Sequence, residues 1–172
     1  MSLVIFDFDD TLFPTTYFQH HQDLTSKDLK ELNYAINKLL NVLLSKRFEI
    51  VLVSNGSLDW IDNSAILLPS LYNLLRINVI RCVSARDIYE HTGIHYEDWK
   101  RFAIVNILTS KPYYVTKKVI GIGDSEVDRT AISDACKYTH KKFNFIKFAP
   151  EMSLEVLTAT IKDFTDYCMQ NL

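Results

Sequence analysis

Short apolar runs alternate with amphipathic stretches along the whole chain. The runs predict strands at Leu3–Phe6, Phe48–Val53, Asn78–Val83, Lys118–Ile122 and Phe143–Phe148. Uninterrupted runs of Val, Ile and Phe are typical of parallel strands that are buried on both faces. Between them, apolar residues at helical spacing predict helices over Leu29–Leu43, Trp60–Arg76, Asp98–Leu108, Glu126–Lys137 and Leu154–Met169. This alternation predicts an α/β protein with a three-layer, Rossmann-like fold, in which a central parallel sheet of about five strands carries helices on both faces.

The chain length and the irregular segments favour one domain over residues 1–172, without a substantial cap domain. The chain has 172 residues and no linker, repeat or low-complexity tract. Its longest irregular stretches, residues 12–24 and 84–97, are too short for an inserted domain. Thr25 or Ser26 is expected to cap the first long helix, with Asp28 as the partner of Thr25.

Charge and composition disfavour several classes of partner. The net charge of −2 offers no field to attract nucleic acid or a membrane surface, so nucleic acid is a disfavoured partner. No segment has the pattern of a signal peptide or the apolar length of a membrane span. Three cysteines without a CxxC spacing are typical of reduced thiols. These features predict a cytoplasmic protein.

Polar residues follow three of the predicted strands. Asp7 and Asp9 follow the first, Ser54-Asn55-Gly56 follows the second, and Asp124 follows the fourth, with Asp128 four residues later. Ligands of open α/β sheets bind at the carboxyl ends of the strands. Carboxylates without His or Cys suit Mg²⁺, and the turn at Ser54 and Asn55 suits a phosphoryl anion.

A cation for such a site is harder to assign. Lys100 lies at the start of a predicted helix, where a positive charge is unfavourable unless an anion lies opposite. Lys111, Lys117 and Lys118 also precede the fourth strand and remain alternatives.

Simpler readings of the same residues exist. Asp124 and Asp128 are compatible with an N-cap and a first-turn acid, and Ser54-Asn55-Gly56 with an ordinary turn. Trp60 and Trp99 are interpreted as core residues or helix anchors. Asp10 is expected to point away from the cleft, because successive strand residues alternate between the two faces.

The segments Asp7-Phe8-Asp9-Asp10-Thr11, Ser54-Asn55, a lysine, and Gly123-Asp124-Ser125-Glu126-Val127-Asp128 occur in this order. Together they resemble the four motifs of the haloacid dehalogenase (HAD) superfamily, over residues 3 to 128. An acid two residues after the first aspartate, here Asp9, is the pattern of the family's phosphatases. The resemblance therefore implies a phosphatase that acts on phosphate monoesters.

The resemblance also implies a role for each motif residue. Asp7 would be the nucleophile that forms an aspartyl-phosphate, and Asp9 the acid and base. Asp7, the main-chain carbonyl of Asp9, and Asp124 would hold Mg²⁺. Ser54, Asn55 and Lys100 would bind the phosphoryl oxygens, while Asp128 and Thr11 would support the residues that contact metal and substrate.

The expected absence of a cap domain affects the size of substrate that the site can accept. Both places where the family inserts cap domains hold short segments here, so the resemblance implies a capless member with an open site. An open site favours a bulky phosphorylated substrate such as a phosphoprotein. Two alternatives remain: an inactive phosphate-binding or interaction module, and a phosphotransferase with an acceptor other than water.

Overall fold

The computed structural model describes residues 2–21 and 23–172 and contains the predicted five-stranded parallel sheet. The strands are β1 (Ser2–Phe6), β2 (Phe48–Ser54), β3 (Arg81–Ser84), β4 (Lys118–Gly123) and β5 (Lys142–Lys147). Their order across the sheet is β3-β2-β1-β4-β5, and every neighbouring pair is parallel. The predicted fold class is therefore confirmed.

Eight α-helices occur in the described residues. They are α1 (Thr15–His20), α2 (Lys30–Ser45), α3 (Leu58–Ala65), α4 (Pro69–Arg76), α5 (Ala85–Tyr89), α6 (Tyr96–Thr109), α7 (Glu126–Tyr138) and α8 (Leu154–Asn171). The short helices α1 and α5 lie in the stretches that the sequence predicted to be irregular. The predicted helix from Trp60 to Arg76 is two helices, because Pro69 begins a new one.

The third strand starts later than predicted. Asn78, Val79 and Ile80 form a turn that follows α4, because the N–H groups of Val79 and Ile80 both donate to the carbonyl of Leu74. Asn78 itself has a φ of 55°, in the left-handed region, which is incompatible with an extended strand. Strand β3 therefore begins at Arg81.

The start of α2 also differs from the prediction. The Thr25 backbone N–H and hydroxyl both donate to Asp28 Oδ2, so the predicted pair forms. It closes a separate turn, however, and α2 begins at Lys30. The spacing of Thr25 and Asp28 indicated the local contact but not the helix boundary.

The sheet separates two apolar cores. One core packs α2, α3, α4 and α8 against one face of the sheet, and the other packs α5, α6 and α7 against the opposite face. Helix α2 turns its predicted apolar stripe inward and buries Leu32, Ala35, Ile36, Leu39, Leu40 and Leu43. Each Leu or Ile buried in this way contributes roughly 1.5 to 3 kcal/mol.

The sheet register brings three strand ends together. Phe6, the last residue of β1, is level with Leu52 of β2 and Ile122 of β4. The chain leaves all three strands at the same edge of the sheet, and Asp7 N–H still donates to the Ile122 carbonyl there. In the described residues, the segment between β1 and α2 carries only the six-residue helix α1, and the segment between β3 and α6 carries only the five-residue helix α5. None of the helices in the described part of the chain has both the length and the apolar character needed to cross a bilayer.

Candidate active site

A buried ion network lies at the carboxyl edge of the sheet. Lys100 Nζ lies 2.5 Å from Asp7 Oδ1 and 2.5 Å from Asp128 Oδ1. All three residues are buried, and Lys100 as a whole is 8% exposed. Two carboxylates for one ammonium group leave a negative charge in a place from which water is largely excluded.

The structure places Lys100, and not the other three lysines considered, beside Asp7. Lys111, Lys117 and Lys118 are all exposed. Lys100 lies in the second turn of α6, since this helix begins at Tyr96. Burial alone lowers the pKa of Lys100, but the neighbouring charges of Asp7 and Asp128 outweigh it and hold that pKa above its ordinary value.

Asp124 completes a group of three carboxylates. Oxygen atoms of Asp7, Asp124 and Asp128 all lie within 4.8 Å of one another. No side chain of residues 2–21 or 23–172 donates a hydrogen bond to Asp124. Burial, with Asp128 adding to it, raises the pKa of Asp124 to about 6. Burial likewise raises the pKa of Asp7, with the charge of Lys100 opposing the shift.

Asp128 has a structural and an electrostatic role at once. Ser125 caps α7: its hydroxyl accepts from the Asp128 N–H, and the Asp128 carboxylate accepts in turn from the Ser125 N–H and hydroxyl. The N-cap is thus Ser125 rather than Asp124. The capping box fixes Asp128 Oδ2, which leaves Oδ1 aimed at Lys100.

The close approach of Asp128 to the sheet depends on Gly123. A Cβ atom at this position would lie 2.7 Å from Asp128 Cβ and 2.8 Å from its Cγ. Contacts that short do not occur between well-packed atoms, so an added methyl group would displace the Asp128 side chain from Lys100 and Asp7.

We expect Gly123→Ala to lower the free energy of unfolding by about 1 to 3 kcal/mol, as overpacked core positions do. It should also weaken binding of a divalent cation, because Asp128 moves. Gly121→Ala is the control, since its Cβ would press on Ile132, an apolar residue outside the carboxylate group. Chemical denaturation and calorimetric titration with Mg²⁺ separate the two effects. Unchanged cation affinity in Gly123→Ala would contradict the positioning role of Gly123.

Asp9 is held by three donors. Its Oδ1 accepts from the Thr15 hydroxyl at 2.7 Å and from the indole N–H of Trp60 at 2.8 Å. Its Oδ2 accepts from the Ser54 hydroxyl at 3.0 Å. Sequence reasoning missed Thr15 and assigned Trp60 to the core. No local signal marks Trp60, because it lies 51 residues from Asp9 along the chain.

The remaining predicted residues lie at or beside the same site. Thr11 is fully buried, and its hydroxyl donates to Asp7 Oδ2 at 3.2 Å. Ser54 is also fully buried, and its oxygen accepts from the Gly56 N–H. Asn55 lines the cavity, and within the described residues its buried Oδ1 has no hydrogen-bond partner. The roles of Ser54 and Asn55 in binding phosphate stay predictions.

Asp10 faces the site, contrary to the expectation from strand alternation. Strand β1 ends at Phe6, and the carbonyl of Phe8 accepts hydrogen bonds from Thr11, Leu12 and Phe13 in a tight turn. Asp10 has a φ of 53° in this turn, so the two-residue periodicity of a strand no longer applies. Its carboxylate accepts from the N–H and hydroxyl of Thr16 and lines the cavity.

An open cavity of about 460 Å³ lies above these residues. Five carboxylates line it, those of Asp7, Asp9, Asp10, Asp124 and Asp128, together with Lys100 and Arg86. The charge of this lining is strongly negative, which favours the binding of a cation.

Two solved structures resemble the chain over nearly its whole length. One is the HAD domain of the effector protein Lem4 from Legionella pneumophila, which has 14% sequence identity and a TM-score of 0.58 and aligns over 97% of this chain and 96% of that one. The other is an inactive mutant of the same domain, at 14% identity and a TM-score of 0.57 over 98% and 96% of the two chains. No protein-family model and no curated protein matches the chain.

These likenesses show a HAD-like fold, and residues 2–21 and 23–172 form no large cap. At 14% identity they say nothing of chemistry, which has to be argued from the site. The site itself fits a hard divalent cation. Asp7 and Asp124 offer carboxylate oxygens, which suit such a cation. Burial, with the charge of Asp128 adding to it and that of Lys100 opposing it, raises the pKa of both.

Proposed function

We propose that the protein is a Mg²⁺-dependent phosphatase that hydrolyses phosphate monoesters through an aspartyl-phosphate on Asp7. One observation carries the proposal: Asp7, Asp124 and Asp128 converge within 4.8 Å at the carboxyl edge of the sheet, with Lys100 bonded to two of them. Strand packing does not require such a group, and isolated buried carboxylates are costly.

In the first step, Asp7 attacks phosphorus in line with the ester oxygen. The bond from Asp7 to phosphorus forms as the bond to the leaving oxygen breaks, and Asp9 gives that oxygen its proton. In the second step, Asp9 takes a proton from a water molecule that attacks the same phosphorus. Inorganic phosphate leaves and the Asp7 carboxylate is restored.

The hydrogen bonds of Asp9 permit both protonation states. The hydroxyl groups of Thr15 and Ser54 donate or accept as they rotate, whereas the indole N–H of Trp60 donates only. Trp60 therefore fixes Asp9 Oδ1 as an acceptor. A proton on Asp9 belongs on Oδ2, where the Ser54 hydroxyl can turn to accept it.

Lys100, together with a Mg²⁺ ion that Asp7 and Asp124 would hold, would balance the charge around the nucleophile. Lys100 orients Asp7 and neutralises part of its charge, and Asp128 in turn holds Lys100. Asp7, Asp124 and the Asp9 carbonyl would hold Mg²⁺, which would supply the positive charge that lets an anionic nucleophile approach an anionic phosphate. The open cavity suits a bulky phosphorylated substrate, such as a phosphoprotein.

The test is turnover of p-nitrophenyl phosphate by the purified chain, in Mg²⁺ and after its removal with EDTA. We expect release of p-nitrophenol that depends on Mg²⁺, and any phosphate that stays bound to the protein after acid quenching should be released by hydroxylamine, because hydroxylamine cleaves an acyl-phosphate. An added alcohol that becomes phosphorylated would favour the phosphotransferase instead. Phosphate binding without any turnover on a broad panel of monoesters would favour the inactive module.

We expect Trp60→Phe to reduce kcat about 10- to 100-fold with little change in the fold, because Asp9 loses the donor that orients it. The matched control is Trp99→Phe, since the indole N–H of Trp99 donates to the Ile94 carbonyl, a contact outside the candidate site. The measurement is kcat and KM on p-nitrophenyl phosphate, with circular dichroism as the check on folding. Equal rates in the two variants would contradict the role of Trp60.

A further inference from the structure

Arg86 lines the same cavity as the carboxylates. It lies on α5, directly after β3, and two hydrogen bonds fasten this segment to the turn after β2. Ser84 Oγ donates to the Gly56 carbonyl at 2.8 Å, and the Leu58 N–H donates to Asp87 Oδ2 at 2.8 Å. The position of Arg86 relative to Asn55 and Gly56 is therefore set by the fold and not by a free loop.

Arg86 is the cation of the cavity that an anionic ligand can bind. The described lining residues include two cations, Lys100 and Arg86. Lys100 already forms ion pairs with Asp7 and Asp128. The Arg86 side chain is 47% exposed, and its partner Glu90 lies one turn away on the surface. Exposed pairs of this kind are weak, so a ligand carboxylate or phosphate can replace Glu90 at small cost.

The sheet order sets the distance between Arg86 and the nucleophile. Strand β3 lies two strands from β1. Neighbouring strands are about 4.8 Å apart, so the backbone of Arg86 starts roughly 10 Å to the side of Asp7. A phosphoryl group at Asp7 leaves most of the cavity of about 460 Å³, which Arg86 also lines, free for the leaving group.

We propose that Arg86 determines specificity by binding a second anionic group of the substrate, placed a few bonds from the phosphate ester. This inference rests on the proposed phosphatase function and narrows it: the preferred substrates are monoesters that carry a carboxylate or another phosphate. Elsewhere in the cavity the carboxylates repel such a group, so the second anion also fixes the orientation in which the substrate enters.

A pair of small esters tests this directly. 3-Phosphoglycerate has a carboxylate where glycerol 3-phosphate has a hydroxymethyl group, and the two are otherwise alike. With Mg²⁺ present, we expect Arg86→Gln to lower kcat/KM about 10- to 100-fold for 3-phosphoglycerate, the range of a charge-assisted hydrogen bond. Glycerol 3-phosphate should change by less than about twofold. Glu90→Gln frees Arg86 and should raise kcat/KM for 3-phosphoglycerate by about twofold.

A binding measurement keeps the inference separate from the catalytic proposal. Titration calorimetry of both esters into Asp7→Asn, with and without Arg86→Gln, reports recognition even if no ester is hydrolysed. Absence of turnover by the unmodified protein defeats the phosphatase proposal, whereas equal affinity for the two esters defeats the role of Arg86. An equal loss for both esters on Arg86→Gln also overturns it, because Arg86 would then hold the ester phosphate. Phosphoserine peptides with Glu or Gln beside the phosphoserine show whether a peptide supplies the second anion.

Discussion

Lys100→Met is expected to lower the free energy of unfolding by about 3 to 5 kcal/mol in metal-free buffer, the cost of breaking a buried ion pair from one side. Asp7 and Asp128 would then face each other without the cation that both contact. Met fills a similar volume, so packing loss contributes little. For a chain of this size, the expected fall in Tm is roughly 6 to 20 °C.

Mg²⁺ should restore part of that stability. A divalent cation beside Asp7 and Asp124 supplies the charge that Lys100 provided, and it binds the folded chain in preference to the unfolded one. The gain in Tm on adding Mg²⁺ should therefore be larger for Lys100→Met than for the unmodified chain. Catalytic activity should not return, because Lys100 also orients Asp7.

Denaturant unfolding with and without Mg²⁺ measures both effects. Lys111→Met is the matched control, since Lys111 is exposed and its replacement should change stability by less than about 0.5 kcal/mol. If Lys100→Met were as stable as the control without metal, the two carboxylates would be neutral in the free protein and the ion network would be wrong.

Asp7→Asn is expected to reduce phosphatase turnover at least about 1,000-fold, because an amide cannot form the aspartyl-phosphate. Stability should change little. Asn keeps the size of Asp, its oxygen can accept from Lys100 while its NH₂ group donates to the Thr11 hydroxyl, and it removes one of three crowded carboxylates. We therefore expect Asp7→Asn to lose activity while it stays folded.

Asp10→Asn makes the same chemical change three residues later. Asn tolerates the left-handed φ of 53° at this position, so the turn should survive. We expect its kcat to stay within about tenfold of the unmodified chain, because Asp10 bonds to Thr16 and not to Lys100. Initial rates on p-nitrophenyl phosphate compare the two variants. Turnover by Asp7→Asn within tenfold of the unmodified chain would remove Asp7 as the nucleophile.

The elements of the site that follow apolar strands could be predicted from the sequence. Buried strands have a strong local signature, and parallel strands end at one edge, so Asp7 and Asp124 could be expected to meet there. Lys100 was harder to place, because Lys100, Lys111, Lys117 and Lys118 were all candidates. The structure distinguishes them by burial, a property that depends on how α6 packs on the sheet.

The turns around the site could not be predicted. Asp10 was expected to face away because strand alternation was extended beyond Phe6, where β1 has already ended. The start of β3 was placed too early for a similar reason, since Val79 and Ile80 have strand-like side chains but bond to the end of α4. Side-chain preference indicates which conformation is favourable, and backbone hydrogen bonds decide where it stops.

By itself, the sequence determined the α/β class, the parallel sheet and the edge at which the acids lie, because hydrophobic periodicity and strand polarity are local properties. Only the tertiary structure decided which side chains surround those acids. Trp60 reaches Asp9 and Arg86 reaches the cavity across long stretches of chain, through loops fixed by hydrogen bonds between distant residues. Such contacts depend on the packing of whole elements, and no spacing along the chain records them.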